Sequence, residues 1–291
     1  MKVLKTTSLF FFLSSMAFGQ SLKERLNADK EQETQTVQST FKSTRIVTAQ
    51  STRTLAKGLL DFRMSHRFDQ IDGGFYDLFG LDNAQARFAF DYGLTDDLMI
   101  GFGRSSYNKT YDANIKYRVL KQEVGEGNTP VTLAWNSMME LQSVKQAEDD
   151  FPFSGRLAYA HQLMIARKFS KKLSVQLTPT IVHFNLVEVP EQENTRYALG
   201  TGFRYKLSNR VSLNAEYYYR MNPDDLEGLG LSKNRNAIAI GFDIETGGHV
   251  FQLHFTNSRA MTDASYIDRT RGDISESGIY FGFNFTRTFK L

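Results

Sequence analysis

The chain contains no cysteine in 291 residues, which excludes disulfides, thiolate metal sites and thiol redox chemistry. Prolines number five against 24 Phe and 13 Tyr, a composition unlike that of a disordered chain. Neither sign of charge dominates. With 35 Lys plus Arg, 32 Asp plus Glu and a formal net charge of +3, there is little footing for nucleic acid, and no nucleic-acid partner is expected. No apolar run reaches the roughly 18 residues of a spanning helix, so a helical membrane protein is excluded. The length suits one large domain or two small ones, and all-β barrels of this size commonly form one.

The N-terminus reads as a cleaved signal peptide, residues 1–19. Lys2 and Lys5 precede the apolar stretch SLFFFLSSMAF, and Ala17 and Gly19 are the small residues of a cleavage site before Gln20. Without cysteine there is no lipoprotein anchor. Residues 20–55 form a polar N-terminal segment, assigned to the periplasm. Its first half is rich in Gln, Glu, Lys and Thr and buries little apolar area. From Phe41 to Val47 the pattern becomes strand-like, which fits an extra strand or a piece tucked into or under the main domain.

Residues 56–291 repeat one theme: stretches of about ten residues that alternate apolar with polar or small side chains. Tyr111, Ala113, Ile115, Tyr117 and Val119 alternate with Asp112, Asn114, Lys116 and Arg118. In the last stretch, Ile279, Phe281, Phe283 and Phe285 alternate with Tyr280, Gly282, Asn284 and Thr286. A period of two means strands with two unlike faces. About twelve strands are predicted, near 58–68, 84–93, 98–107, 110–120, 130–142, 156–169, 173–187, 195–207, 211–221, 236–245, 249–257 and 278–291. In the seventh the apolar phase shifts around Pro179, which predicts a bulge near Thr178 to Thr180.

Connections sort by length. GLTDD, SKK, SNR and TGGH are tight; those after the first, fifth, ninth and eleventh strands are long. This is the layout of an all-β, up-and-down antiparallel transmembrane β-barrel in the bacterial outer membrane, with turns periplasmic and long loops outside. The connections after the third and fourth strands break the pattern. Alternation alone also permits a soluble barrel with the apolar face inside. The aromatic, apolar-ended final strand favours the membrane, because outer-membrane assembly machinery reads such an ending. Outer-membrane lipid and that machinery are therefore the expected partners, alongside a small solute or a periplasmic or outer-membrane protein.

Three runs, LDFRMSHRF (60–68), FGLDNAQARFAFDYGLTDDLMIGFGRSS (79–106) and GGHVFQLHFTNSRAM (247–261), resemble a family of bacterial membrane-bound β-barrel proteins. The resemblance extends from about Phe41 to the C-terminus. It implies the barrel and the outer membrane, and brings with it no activity, ligand or catalytic residue.

Parity assigns the lumen-lining residues Arg63, Arg87, Lys116, Arg118, Arg204, Glu216, Tyr218, Arg220, Asp243 and His254. On the same face fall Arg67, Arg156, Lys168, Arg196 and Lys206, with Asp61, Asp91, Asp112, Glu140 and Glu245. Positive charge is in excess. Such mixed charge can line a narrow pore of unknown solute, or pair up and close the lumen of a structural or partner-docking barrel, with residues 20–55 as a further means of closure. No catalytic residue, cofactor or metal is assigned. A membrane-embedded hydrolase would resemble a Ser–His pair two residues apart on one outward face; none of the five histidines has a serine at that spacing, and only a cross-strand pair remains open. The acidic runs EDD (148–150) and PDD (223–225) lack an EF-hand pattern and read as solvated loop charge.

Overall fold

The computed structural model describes residues 35–37, 39–125, 128–144, 152–223 and 233–291. The signal peptide, residues 20–34 of the polar segment, the run 148–150 and residues 224–225 lie outside the described residues.

Twelve antiparallel strands close into a barrel: β1 (Leu59–Gln70), β2 (Ala84–Gly93), β3 (Leu98–Ser105), β4 (Thr110–Leu120), β5 (Thr132–Gln142), β6 (Leu157–Lys168), β7 (Leu173–Phe184), β8 (Thr195–Lys206), β9 (Val211–Arg220), β10 (Ile238–Thr246), β11 (His249–Thr256) and β12 (Tyr280–Lys290). Each strand pairs with the next, and β12 closes on β1. The seam is reinforced by aromatic cross-strand pairs. Phe283 stacks on His66 at 4.9 Å and Phe281 on Phe68 at 5.7 Å.

The alternation resolves as apolar outside, polar inside. Along β11, Phe251, Leu253 and Phe255 are 43–49% exposed, while Gln252, His254 and Thr256 are 1–4% exposed. A soluble barrel would reverse this arrangement. Backbone groups that face lipid must all be paired, and ring closure provides that for every strand.

Proline 179 causes no bulge. The β7–β6 pairing lapses at Pro179 and Thr178, yet resumes in the same register, with Gln162↔Thr180 on one side and Ile165↔Leu177 on the other, and the β7–β8 register passes through Leu199↔Pro179. The apolar phase shifts because the lumen filling changes: Val182 and Phe184 point inward into an apolar interior cluster while the strand keeps its parity.

Turns at 94–97, 169–172, 207–210 and 247–248 lie on one rim, and connections 71–83, 143–156, 185–194, 221–237 and 257–279 on the other. The two exceptions have local causes. The short connection 106–109 on the loop rim is a single 3-10 turn. The long connection 121–131 on the turn rim exists because Glu123–Val124 pairs with Gln35–Thr36, clamping the N-terminal segment to that rim.

Candidate functional site: the plugged lumen

A barrel of twelve strands is too wide for its own side chains to fill. Two inserts fill it here. From the turn rim, residues 40–55 run into the barrel as a hairpin, with Ile46 N–H donating to Ala49 O (2.8 Å) and Ser51 N–H to Thr44 O (3.0 Å). Nearly all of this segment is buried. The polar segment expected at 20–55 as a periplasmic piece thus has its second half inside the lumen, the tucked arrangement that the strand-like run at Phe41 allowed.

A hairpin outside the ladder must find partners for its own backbone, and the barrel wall supplies them. At the tip, the N–H groups of Val47, Thr48 and Ala49 donate to the Glu216 carboxylate at 2.8, 2.9 and 3.1 Å. Carbonyl oxygens of the hairpin accept from Gln252 (Ile46 O, 2.7 Å), Arg63 (Val47 O, 2.6 Å) and Gln176 (Gln50 O, 2.8 Å). The Lys116 ammonium donates to Thr44 O and Ser51 O at 2.8 and 3.0 Å, bridging both legs. Two wall glycines admit the insert. A Cβ on Gly202 would collide with the Ile46 side chain, and one on Gly93 with the Ala56 carbonyl.

From the loop rim, residues 257–270 fold inward, while Arg271 and residues 274–277 stay exposed at the rim. Their helix α1 (Asp263–Asp268) is buried along its whole length, which corrects the reading of this first part of the connection as an external loop. Glu140 holds its start, accepting from Ala264 N–H at 2.6 Å and Ser265 Oγ at 2.8 Å. Asp268 at its end pairs with Arg220 at 2.7 Å and Arg196 at 3.6 Å. Tyr266 packs edge-on to Tyr218 at 6.1 Å, within a cluster that includes Val182, Phe184, Ala264 and Ile267.

The two inserts meet. Arg45 of the hairpin pairs with Asp263 of α1 at 2.5 Å, and Gln50 donates to the same carboxylate at 2.9 Å. Arg67 touches both, donating to Ser258 O on the loop and to Thr48 Oγ1 on the hairpin. The void beside the tip, lined by Arg45, Arg63, Arg67 and Arg87, measures about 10 Å³, room for about one water.

Of the ten residues assigned to the lumen by parity, Arg63, Arg87, Lys116, Glu216, Tyr218, Arg220, Asp243 and His254 are buried, and Arg118 and Arg204 are half-buried near the turn rim. Arg87 pairs with Asp112 at 2.5 Å, Arg118 with Asp97 at 2.7 Å and Arg204 with Glu245 at 2.7 Å. Asp243 accepts from Gln252 at 2.6 Å, and the Tyr218 hydroxyl accepts from Gln162 at 3.0 Å. His254 is buried beside Gly282, and neither ring nitrogen has a hydrogen-bond partner among the described residues. Three amides outside those ten, Gln176, Gln252 and Asn284, donate to hairpin carbonyls. Each lies on the inward parity, and an uncharged amide gives no further signal in the sequence that sets it apart from other polar wall residues.

On the outer face, register brings Ser137 of β5 opposite His161 of β6, with Oγ and Nδ1 at 2.9 Å. This is the cross-strand pair the sequence left open. It sits mid-strand in the lipid-facing belt, stacked on Trp135, with β5 paired on both sides across the position. The bond pairs two polar groups on the apolar outer face of the barrel.

The NanC porin is similar in structure, with a TM-score of 0.50 at 9% identity over 80% of this chain and all of that one. An outer membrane channel from Pseudomonas putida F1 aligns at 0.48 and 13% identity over 82% of this chain and 98% of that one, and the KdgM porin at 0.46 and 10% over 79% and 99%. At these identities the first likeness speaks for the fold alone. No curated protein matches the chain. The description "Membrane bound beta barrel domain" matches residues 41–289. The chain belongs to this family of membrane-bound β-barrel domains (DUF5777).

Proposed function

We propose that the protein is an outer-membrane channel whose lumen is closed at rest by two inserts and opens when they move. The turn rim is periplasmic in this reading, so the hairpin enters from the periplasm and α1 from outside. One observation carries it: Arg63, Lys116, Gln176, Glu216 and Gln252 of the wall bind the hairpin's backbone, alongside ion pairs and amide bonds made within the wall itself. A barrel that never opened would be more cheaply filled with apolar side chains, because buried charge is expensive to desolvate. Hydrogen bonds to an insert can be exchanged for bonds to water at a net change of only about 0.5–1.5 kcal/mol each. A polar wall around a polar insert therefore suits an insert that leaves. Three wall cations, Arg63, Arg67 and Lys116, rest on carbonyl and hydroxyl oxygens. Water reaching them would turn them into anion contacts, and the opened lumen favours anions.

The competing reading, a permanently closed docking barrel, draws on the same filled lumen. Planar-bilayer recordings separate the two. The inserts stand in series, so both must be removed. The intact protein is expected to stay silent. A variant lacking residues 44–51, with 259–272 replaced by a Gly/Ser linker, is expected to conduct with a mild preference for anions. Silence from that variant, once correctly assembled, supports the closed barrel.

A further inference from the structure

A second cavity opens at the turn-side mouth, outside the filled lumen. It measures about 450 Å³ and lies between the hairpin legs and the wall. Lys42 and Arg53, one on each leg, face Lys168 at the end of β6, Lys171 in the following turn, and Arg204 and Lys206 at the end of β8. Among the described residues of the lining one carboxylate, Glu245, lies between them, accepting from Arg204 at 2.7 Å and from Lys42 at 3.2 Å. Its two oxygens are few beside the donors of Lys42, Arg53, Lys171, Arg204 and Lys206, since each ammonium carries three and each guanidinium five. Such one-signed crowding raises the energy of the empty cavity, and an anion relieves it. Phe41 supplies an apolar wall, and the volume matches that of small-molecule sites.

We propose that this cavity binds a small soluble anion carrying two or more negative charges, of the phosphorylated class, which bridges the hairpin legs to the barrel wall. Phosphoryl groups suit the donor set. Their three oxygens, each with more than one lone pair, can accept from the guanidinium groups of Arg53 and Arg204 and from the lysines together. A ligand that touches both hairpin and wall binds the seated state better than the unseated one, and so holds the insert in place. The assignment is independent of channel opening, because the site is complete in the closed protein.

Calorimetric titration of the full-length protein, in phosphatidylcholine nanodiscs at constant ionic strength with pyrophosphate as the probe, tests it. Saturable binding that weakens with added salt is expected. Lys171→Gln combined with Lys206→Gln should weaken it about ten-fold or more. Lys171 lies in an exposed turn and Lys206 is the last residue of β8 at the same rim, so the barrel should survive their loss. Lys109→Gln, on the opposite rim, should leave binding unchanged. Chloride at matched charge should not compete. No saturable binding, equal binding by the double variant, or equal affinity for chloride would overturn the assignment. Competition by phosphatidylglycerol in the nanodisc would overturn the claim of a soluble ligand.

Discussion

Glu216 is the anchor at which the seating of the hairpin can be measured. Its carboxylate accepts three backbone N–H groups from Val47, Thr48 and Ala49. In Glu216→Gln one oxygen becomes an NH₂ that faces a backbone donor. One buried N–H then lacks an acceptor, at about 1–3 kcal/mol, and the remaining bonds lose their charge assistance, at about 1 kcal/mol. Relief of the buried charge offsets part of this. The net loss of about 2–3 kcal/mol corresponds to about a 30- to 150-fold rise in the unseated population. The absence of native cysteine makes the assay clean. Val47→Cys places a single thiol at a tip position only 1% exposed in the seated state, so its labelling rate with a charged maleimide tracks unseating. The rate should rise by that factor when Glu216→Gln is added. An unchanged rate would refute the anchor, and rapid labelling with Glu216 intact would refute the seated hairpin.

The contact between the inserts should behave as a coupled pair: Arg45→Met and Asp263→Asn together should cost less stability than the sum of the two singly, by about 0.5–3 kcal/mol in a double-mutant cycle read by thermal unfolding. Additivity would mean that the inserts seat independently. At the turn rim, burial would raise the Asp97 carboxyl, but hydrogen bonds and charge from Arg118 and Lys121 win and hold it below its ordinary value of 3.8. A depressed folded-state pKa means the contribution is present above the unfolded value and lost as pH falls through the folded one. Asp97→Asn should therefore lower the melting temperature at pH 7, with an effect that begins to shrink only near the unfolded value of 3.8 and vanishes once pH falls below the lower folded-state value, and a deficit that persisted in stronger acid would contradict this origin.

Strand positions were legible because alternation is a local property: all twelve strands lie within a few residues of their predicted ranges. Facing was legible for the same reason, down to His254 and Glu216. What the chain does with its lumen was not. The hairpin is rich in Ser and Thr and is held by wall groups distant in sequence, so its own sequence carries only the strand-like hint at Phe41 to Val47. The helix α1 lies in a connection that reads as a polar loop, because its role depends on Glu140, more than a hundred residues away. Pro179 misled for a physical reason: a change of filling from polar hairpin to apolar cluster mimics the one-residue slip of a bulge. The Ser137–His161 pair required the β5–β6 register, which neither strand encodes alone.

The two inserts are fastened by different forces, and this sets an order of opening. The hairpin is held chiefly by polar bonds, with Phe41 and Ile46 against Ala166 as a small apolar contact. Polar bonds exchange with water at little net change. The loop insert places Ala260, Ala264, Tyr266 and Ile267 against Val182, Phe184 and Tyr218, and its withdrawal would expose that cluster at about 25 cal/mol for each Å² of apolar surface. The hairpin should therefore leave first. Its departure takes Arg45 and Gln50 from Asp263, so the helix is left with a buried carboxylate stripped of its partners, which weakens the second insert in turn. A single thiol at Val47 should accordingly label faster than one at Ala264, and deletion of residues 44–51 should speed labelling at Ala264. If Ala264 labels first, or ignores the deletion, the closure is not sequential and the inserts do not communicate through Asp263.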